Sequence, residues 1–102
     1  MFLVDTHTHI HGDFYELDKE TVLKRARSSC VEKIICIGVD EQDSMLAAEF
    51  ASSHEGVWAS VGLHPHDAKL SYRAIEKISK LASSYGVIAR TLQAGYITSL
   101  LI

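Results

Sequence analysis

Two histidines stand two residues apart in Val4-Asp5-Thr6-His7-Thr8-His9-Ile10, close behind a short apolar run. In an extended strand, residues i and i+2 project from the same face. His7 and His9 are therefore expected to lie side by side, near enough to grip one cation. Neutral imidazoles bind divalent first-row metals well, and two on one strand form a rigid half-site. The same alternation puts Leu3 and Asp5 on the histidine face and Phe2, Val4 and Ile10 on an apolar back. A single histidine at a strand end is most simply a surface residue; the pair favours metal ligation. Two imidazoles do not complete a catalytic centre, so carboxylates or further histidines have to come from elsewhere. Asp5 either orients an imidazole from outside the ligand set or has no part in the site.

A second chemistry-bearing stretch is Gly62-Leu63-His64-Pro65-His66. His64 falls in phase with Ser60 and Gly62, opposite Leu63, and Pro65 ends the strand because it has no N–H to donate. An imidazole at that strand end can contact a phosphate or move a proton; the plainer alternative is a loop histidine. His66 lies beyond the proline and has a weaker case. His11 and His54 read as solvent-facing or helix-end residues. Asp40 shares the phase of Gly38 and Cys36 but is expected to start the following turn or helix. Lys19, Lys24, Arg25 and Arg27 read as the solvated outer face of a helix.

The elements that must hold these residues alternate between short apolar runs and amphipathic stretches. Strands are predicted at Phe2–Ile10, Ile34–Val39 and Val57–Leu63, with a fourth beginning at Val87. In the third, Val57, Ala59, Val61 and Leu63 form one face, and Trp58, Ser60, Gly62 and His64 the other. Asp18 is the expected N-cap of a first helix whose stripe is Val22, Leu23 and Ala26. Asp43 or Ser44 is expected to cap a second, with Leu46, Ala47, Phe50 and Ala51 inward and Gly56 behind its end. Ser71 caps a third, with Ile75, Ile78, Ala82 and Tyr85 on one side and Gly86 at its end. Strands recur roughly every 30 residues, the length of a β-α unit. That order predicts a parallel sheet with right-handed crossovers.

The chain has 102 residues and a formal net charge of -3, which allows one modest core and gives no global basic field to draw it onto nucleic acid. Two cysteines are too few for a disulfide framework, which fits a reducing compartment. No signal-peptide pattern or membrane-length apolar run is present, so a cytoplasmic soluble protein without a membrane partner is expected, the nucleus being a second compartment consistent with this.

Asp5-Thr6-His7-Thr8-His9, followed after two β-α units by Val61-Gly62-Leu63-His64-Pro65-His66, resembles the TatD-like metal-dependent deoxyribonucleases. HxH alone is shared by many metal hydrolases, the amidohydrolases among them; the second motif at this spacing is what favours TatD. The resemblance covers residues 1 to about 89. It implies the α/β architecture of a TIM (β/α)₈ barrel, a fold of about 250 residues. It also implies hydrolysis of phosphodiester bonds in DNA, with one or two divalent ions (magnesium, manganese or zinc). On the matching positions, His7 and His9 would be metal ligands and His64 a catalytic residue near the substrate phosphate.

After Ala89 the sequence departs from that family. The family continues with Gly-Glu-x-Gly-Leu-Asp, whose Glu bridges the metals; here Arg90-Thr91-Leu92-Gln93-Ala94-Gly95-Tyr96-Ile97 follows, and no Asp or Glu occurs after Glu76. The expectation is one partial, truncated TatD-like domain over residues 1–102, with an atypical tail at 90–102 that reads as a shifted frame or alternative exon. Four β-α units do not close a barrel. Open sheet edges predict marginal stability and self-association, and the apolar tail is an aggregation liability if unpaired. Two functions follow: a DNA-cleaving hydrolase, or a non-catalytic fragment that keeps only part of a metal site.

Overall fold

Each apolar run becomes a strand, and an amphipathic helix lies between each of the first four. The computed structural model describes residues 1–14, 16–63, 72–92 and 97–100. In chain order the elements are β1 (Leu3–Thr8), α1 (Lys19–Ser28), β2 (Val31–Ile37), α2 (Glu41–Ser53), β3 (Val57–Leu63), α3 (Tyr72–Leu81), β4 (Val87–Leu92) and β5 (Ile97–Leu100). The five strands form one sheet in the order β1-β2-β3-β4-β5. The first four are parallel, as the β-α alternation predicts. β5 turns back antiparallel to β4, with Ala89 opposite Leu100 and Leu92 opposite Ile97. Ile97–Leu100 of the tail is thus paired with the sheet, an arrangement the β-α pattern did not predict. Among the described residues no helix is long and apolar enough to cross a membrane.

The helices cover one face of the sheet. Ile34, Cys36, Val57 and Ala59 pack with Leu23, Ala47, Phe50 and Ala51, while Val61 and Leu63 pack with Ala48 and Ile78. The predicted inward face of β3 is the one found. Burying the Val, Leu, Ile and Phe side chains among them contributes about 1.5–3 kcal/mol each, so these two clusters carry the fold. Of the predicted α3 stripe, Ile78 is buried and Ala82 packs against its cluster, whereas Tyr85 lies past the helix end and is exposed. On the uncovered face the Lys33 ammonium lies 5.6 Å from the Phe2 ring centroid and 5.8 Å from that of Trp58, a cation resting on aromatic faces.

Helix boundaries follow from side-chain chemistry. Asp18 caps α1 as expected, its carboxylate accepting the Thr21 N–H. Asp40, not Asp43 or Ser44, caps α2 and accepts the Asp43 N–H at 2.8 Å. All three residue types suit a cap; the helical turn over Glu41–Asp43 decides between them. Gly56 at φ +78° and Gly86 at φ +83° sit just before β3 and β4, in left-handed backbone that glycine adopts without cost.

Strict alternation fails in β1. Asp5 pairs with Ile34 and Thr8 with Cys36, so β1 advances three residues while β2 advances two, and a further irregularity separates Leu3 from Val4. A bulge of this kind re-aims side chains. β1 is also the outermost strand, and Leu3 and Val4 are exposed alike, at 49% and 47%. Of the predicted apolar back, Phe2 and Val4 are therefore exposed, while Ile10 packs against the core.

Candidate metal centre

His7 lies near the C-terminal end of β1, and His9 lies just past it. Despite the bulge their rings meet edge to face, with centroids 5.2 Å apart. His9 is half-buried, and its Nδ1–H donates to the Ile37 carbonyl at the end of β2, at 2.9 Å. In the neutral imidazole that bond places the proton on Nδ1 and leaves the Nε2 lone pair as the acceptor, the arrangement common to metal-binding histidines. The Asp5 carboxylate accepts the backbone N–H of His7 at 3.1 Å, so it supports the main chain at this point. Two imidazoles, one with its ligating nitrogen preset, fit half of a transition-metal site. Among the described residues no three His, Cys, Asp or Glu side chains gather around one point. His64, Pro65 and His66 lie outside the described residues.

A second polar pair lies behind His9. His11, expected as a solvent-facing or helix-end residue, is neither: it is fully buried, between β1 and α1. Its Nε2–H donates to Asp43 Oδ1 at 2.8 Å, and Asp43 Oδ2 accepts the Val39 N–H at 2.9 Å. Burial pushes the His11 pKa below its ordinary value, against the opposing pull of Asp43. The partners are 32 residues apart, so no local pattern joins them. The nearest signal was a third histidine continuing the i, i+2 series. His54, read as a solvent-facing or helix-end residue, is the latter: it caps the end of α2 and bonds Glu20 through Nε2 at 2.6 Å.

Buried Ser44 organises the neighbouring strand ends. Its hydroxyl donates to the Gly62 carbonyl at 3.1 Å and accepts the Gly62 N–H at 3.0 Å. Gly38 donates its N–H to the Ser60 carbonyl at 2.8 Å. These bonds fix β3 just before the segment that carries His64.

Cys36 is wholly buried behind this region, and Cys30 is exposed. Burial pushes the Cys36 thiol up to about 12, with the His11 backbone N–H pulling the other way. Since the thiolate is the reactive form, a maleimide at pH 8 is expected to label one thiol per native chain and two after denaturation. Mass spectrometry reads both numbers; rapid native labelling of Cys36 would contradict its burial.

A family model described as TatD related DNase matches residues 4–90. The chain belongs to the TatD-related DNase family. The metal-dependent hydrolase YabD of Bacillus subtilis is 32% identical over 88 residues, a match spanning 85% of this chain and 34% of YabD. The 3'-5' ssDNA/RNA exonuclease TatD of Cronobacter sakazakii is 28% identical over 88 residues, with the same coverage of each chain. The crystal structure of YJJV, a TatD homolog from Escherichia coli K12, superposes with a TM-score of 0.74 at 27% identity, covering 84% of this chain and 34% of that one. The TatD-type barrel architecture expected from the sequence is thus found, over about a third of the length of these relatives. The family implies a divalent metal cofactor.

Proposed function

We infer that this TatD-family chain serves metal-dependent hydrolysis of phosphodiester bonds in DNA, with His7 and His9 as metal ligands and His64 as the group facing the substrate phosphate. The carrying observation is the His7–His9 pair, with rings 5.2 Å apart and His9 Nδ1 occupied by the Ile37 carbonyl. A TatD relative named as an ssDNA/RNA exonuclease supports the substrate class. A bound divalent ion, whether magnesium, manganese or zinc, would supply an activated water and stabilise charge on the attacked phosphate. In the neutral His9 imidazole, the bond from Nδ1 to the Ile37 carbonyl turns the Nε2 lone pair toward the cation. His64, the next residue in sequence after β3, would donate a hydrogen bond or a proton at the phosphate. Free Cys30 and Cys36 support a reducing compartment, the cytoplasm or nucleus. The exposed β1 edge supports self-association.

The second reading is a non-catalytic fragment that binds a cation without turnover. It is favoured by the absence, among the described residues, of a third ligand near the pair. Incubating the purified chain with magnesium, manganese or zinc and an end-labelled DNA strand separates the two. Metal-dependent cleavage that disappears in a His7→Ala/His9→Ala variant supports the nuclease. Metal binding without cleavage supports the fragment. Neither binding nor cleavage rejects both.

A further inference from the structure

Among the described residues, His11 is the fully buried imidazole, and the proposed hydrolysis does not use it. A buried imidazole requires a partner, and Asp43 supplies one at Nε2 while Nδ1 meets none. An apolar side chain of similar shape would serve stability as well or better. What the His11–Asp43 pair adds is direction. The Gly12 N–H donates to the His9 carbonyl at 3.1 Å, closing a turn that begins at His9 and contains His11. The His11 ring centroid is 6.2 Å from that of His9, tilted by 56°, within the range of ring–ring contact. His9 is thereby bracketed between His7 and His11. Asp43 is itself immobile: one oxygen holds the Val39 N–H, and its backbone N–H is held by Asp40.

We propose that His11, anchored by Asp43, is a positioning residue that holds the His9 imidazole in its Nδ1–H form against the Ile37 carbonyl, so that Nε2 faces the cation. Its last clause rests on the metal reading above; the orientation of His9 does not. Asp43 fixes His11, His11 fixes the turn and the back of the His9 ring, and the ring keeps its bond to β2. Outer partners of this kind typically change metal affinity by about 10–100-fold when removed.

The test uses the full ¹⁵N-labelled chain without metal, followed by zinc titration. Two variants are compared: His11→Phe, which keeps a ring but loses the bond to Asp43, and Asp43→Asn, which cannot accept from both His11 and Val39. The wild type is expected to show His9 as a single Nδ1–H tautomer in its imidazole ¹⁵N shifts. Both variants should show a tautomer mixture at His9 and a zinc Kd weakened by about 10–100-fold. Variants that unfold at lower temperature while the His9 tautomer and zinc affinity stay at wild-type values would overturn the proposal. If His11→Phe does not fold, Asp43→Asn, at a partly exposed position, decides by the same criteria. A wild type that binds no zinc, yet loses its single His9 tautomer in the variants, rejects the metal reading and keeps the positioning role.

Discussion

Replacing both His7 and His9 with alanine is expected to weaken manganese or zinc binding by more than about 100-fold, beyond what loss of an outer partner costs. His9→Ala alone should do most of the damage, because His9 is the imidazole whose tautomer is preset by Ile37. Stability should respond in the same order but weakly. His7 is exposed, and such substitutions usually stay within about 0.5 kcal/mol. His9→Ala removes one part-buried hydrogen bond, a cost of about 1 kcal/mol. Calorimetric titration of each variant, with urea denaturation alongside, separates the two effects. Unchanged metal affinity in the double variant, with the fold intact, would remove the basis for assigning the pair as ligands.

Gly38→Ala is expected to be strongly destabilising. A Cβ there would lie 2.6 Å from both Ser44 Cα and Ser44 Oγ, and backbone at that distance has to move. Overpacking of this kind typically costs about 1–3 kcal/mol. Displacing Ser44 would also strain both of its bonds to Gly62, and leaving buried backbone groups unpaired adds about 1–3 kcal/mol. The urea midpoint should fall sharply, and Ser44→Ala should not rescue it, because the clash with Ser44 Cα persists. Full rescue would show that the hydroxyl alone was in the way.

Where the sequence carried a local signal, the structure follows it. The inward series Val57, Ala59, Val61 and Leu63 is buried, since a parallel strand under helices allows only that phase. Asp18 caps α1, and Asp40 opens α2. His7 and His9 come together, although the i, i+2 argument assumed regular pairing and β1 bulges between Asp5 and Thr8. A bulge is set jointly by two strands, so a strand read alone does not reveal it. The His11–Asp43 pair was hidden for a related reason: its members meet only once β1 and β2 are adjacent. The pairing of Ile97–Leu100 with β4 escaped notice because the β-α rhythm calls for a helix after β4, while the stretch itself offers only a short uncharged run behind Gly95. The position of His64 rests on sequence and family resemblance, since it lies outside the described residues.

Cys30 adopts φ +66° at the entry to β2, with its side chain in water and its carbonyl holding the Leu3 N–H at 2.7 Å. Because β1 and β2 run parallel, this thiol and the imidazole pair occupy opposite ends of the strands, roughly 20 Å apart for six extended residues. With its sister thiol sealed in the core, the chain has a natural attachment point for a nitroxide. Manganese held by the imidazoles would quench that spin label by an amount that reports the separation, giving a molecular ruler that needs no engineered cysteine.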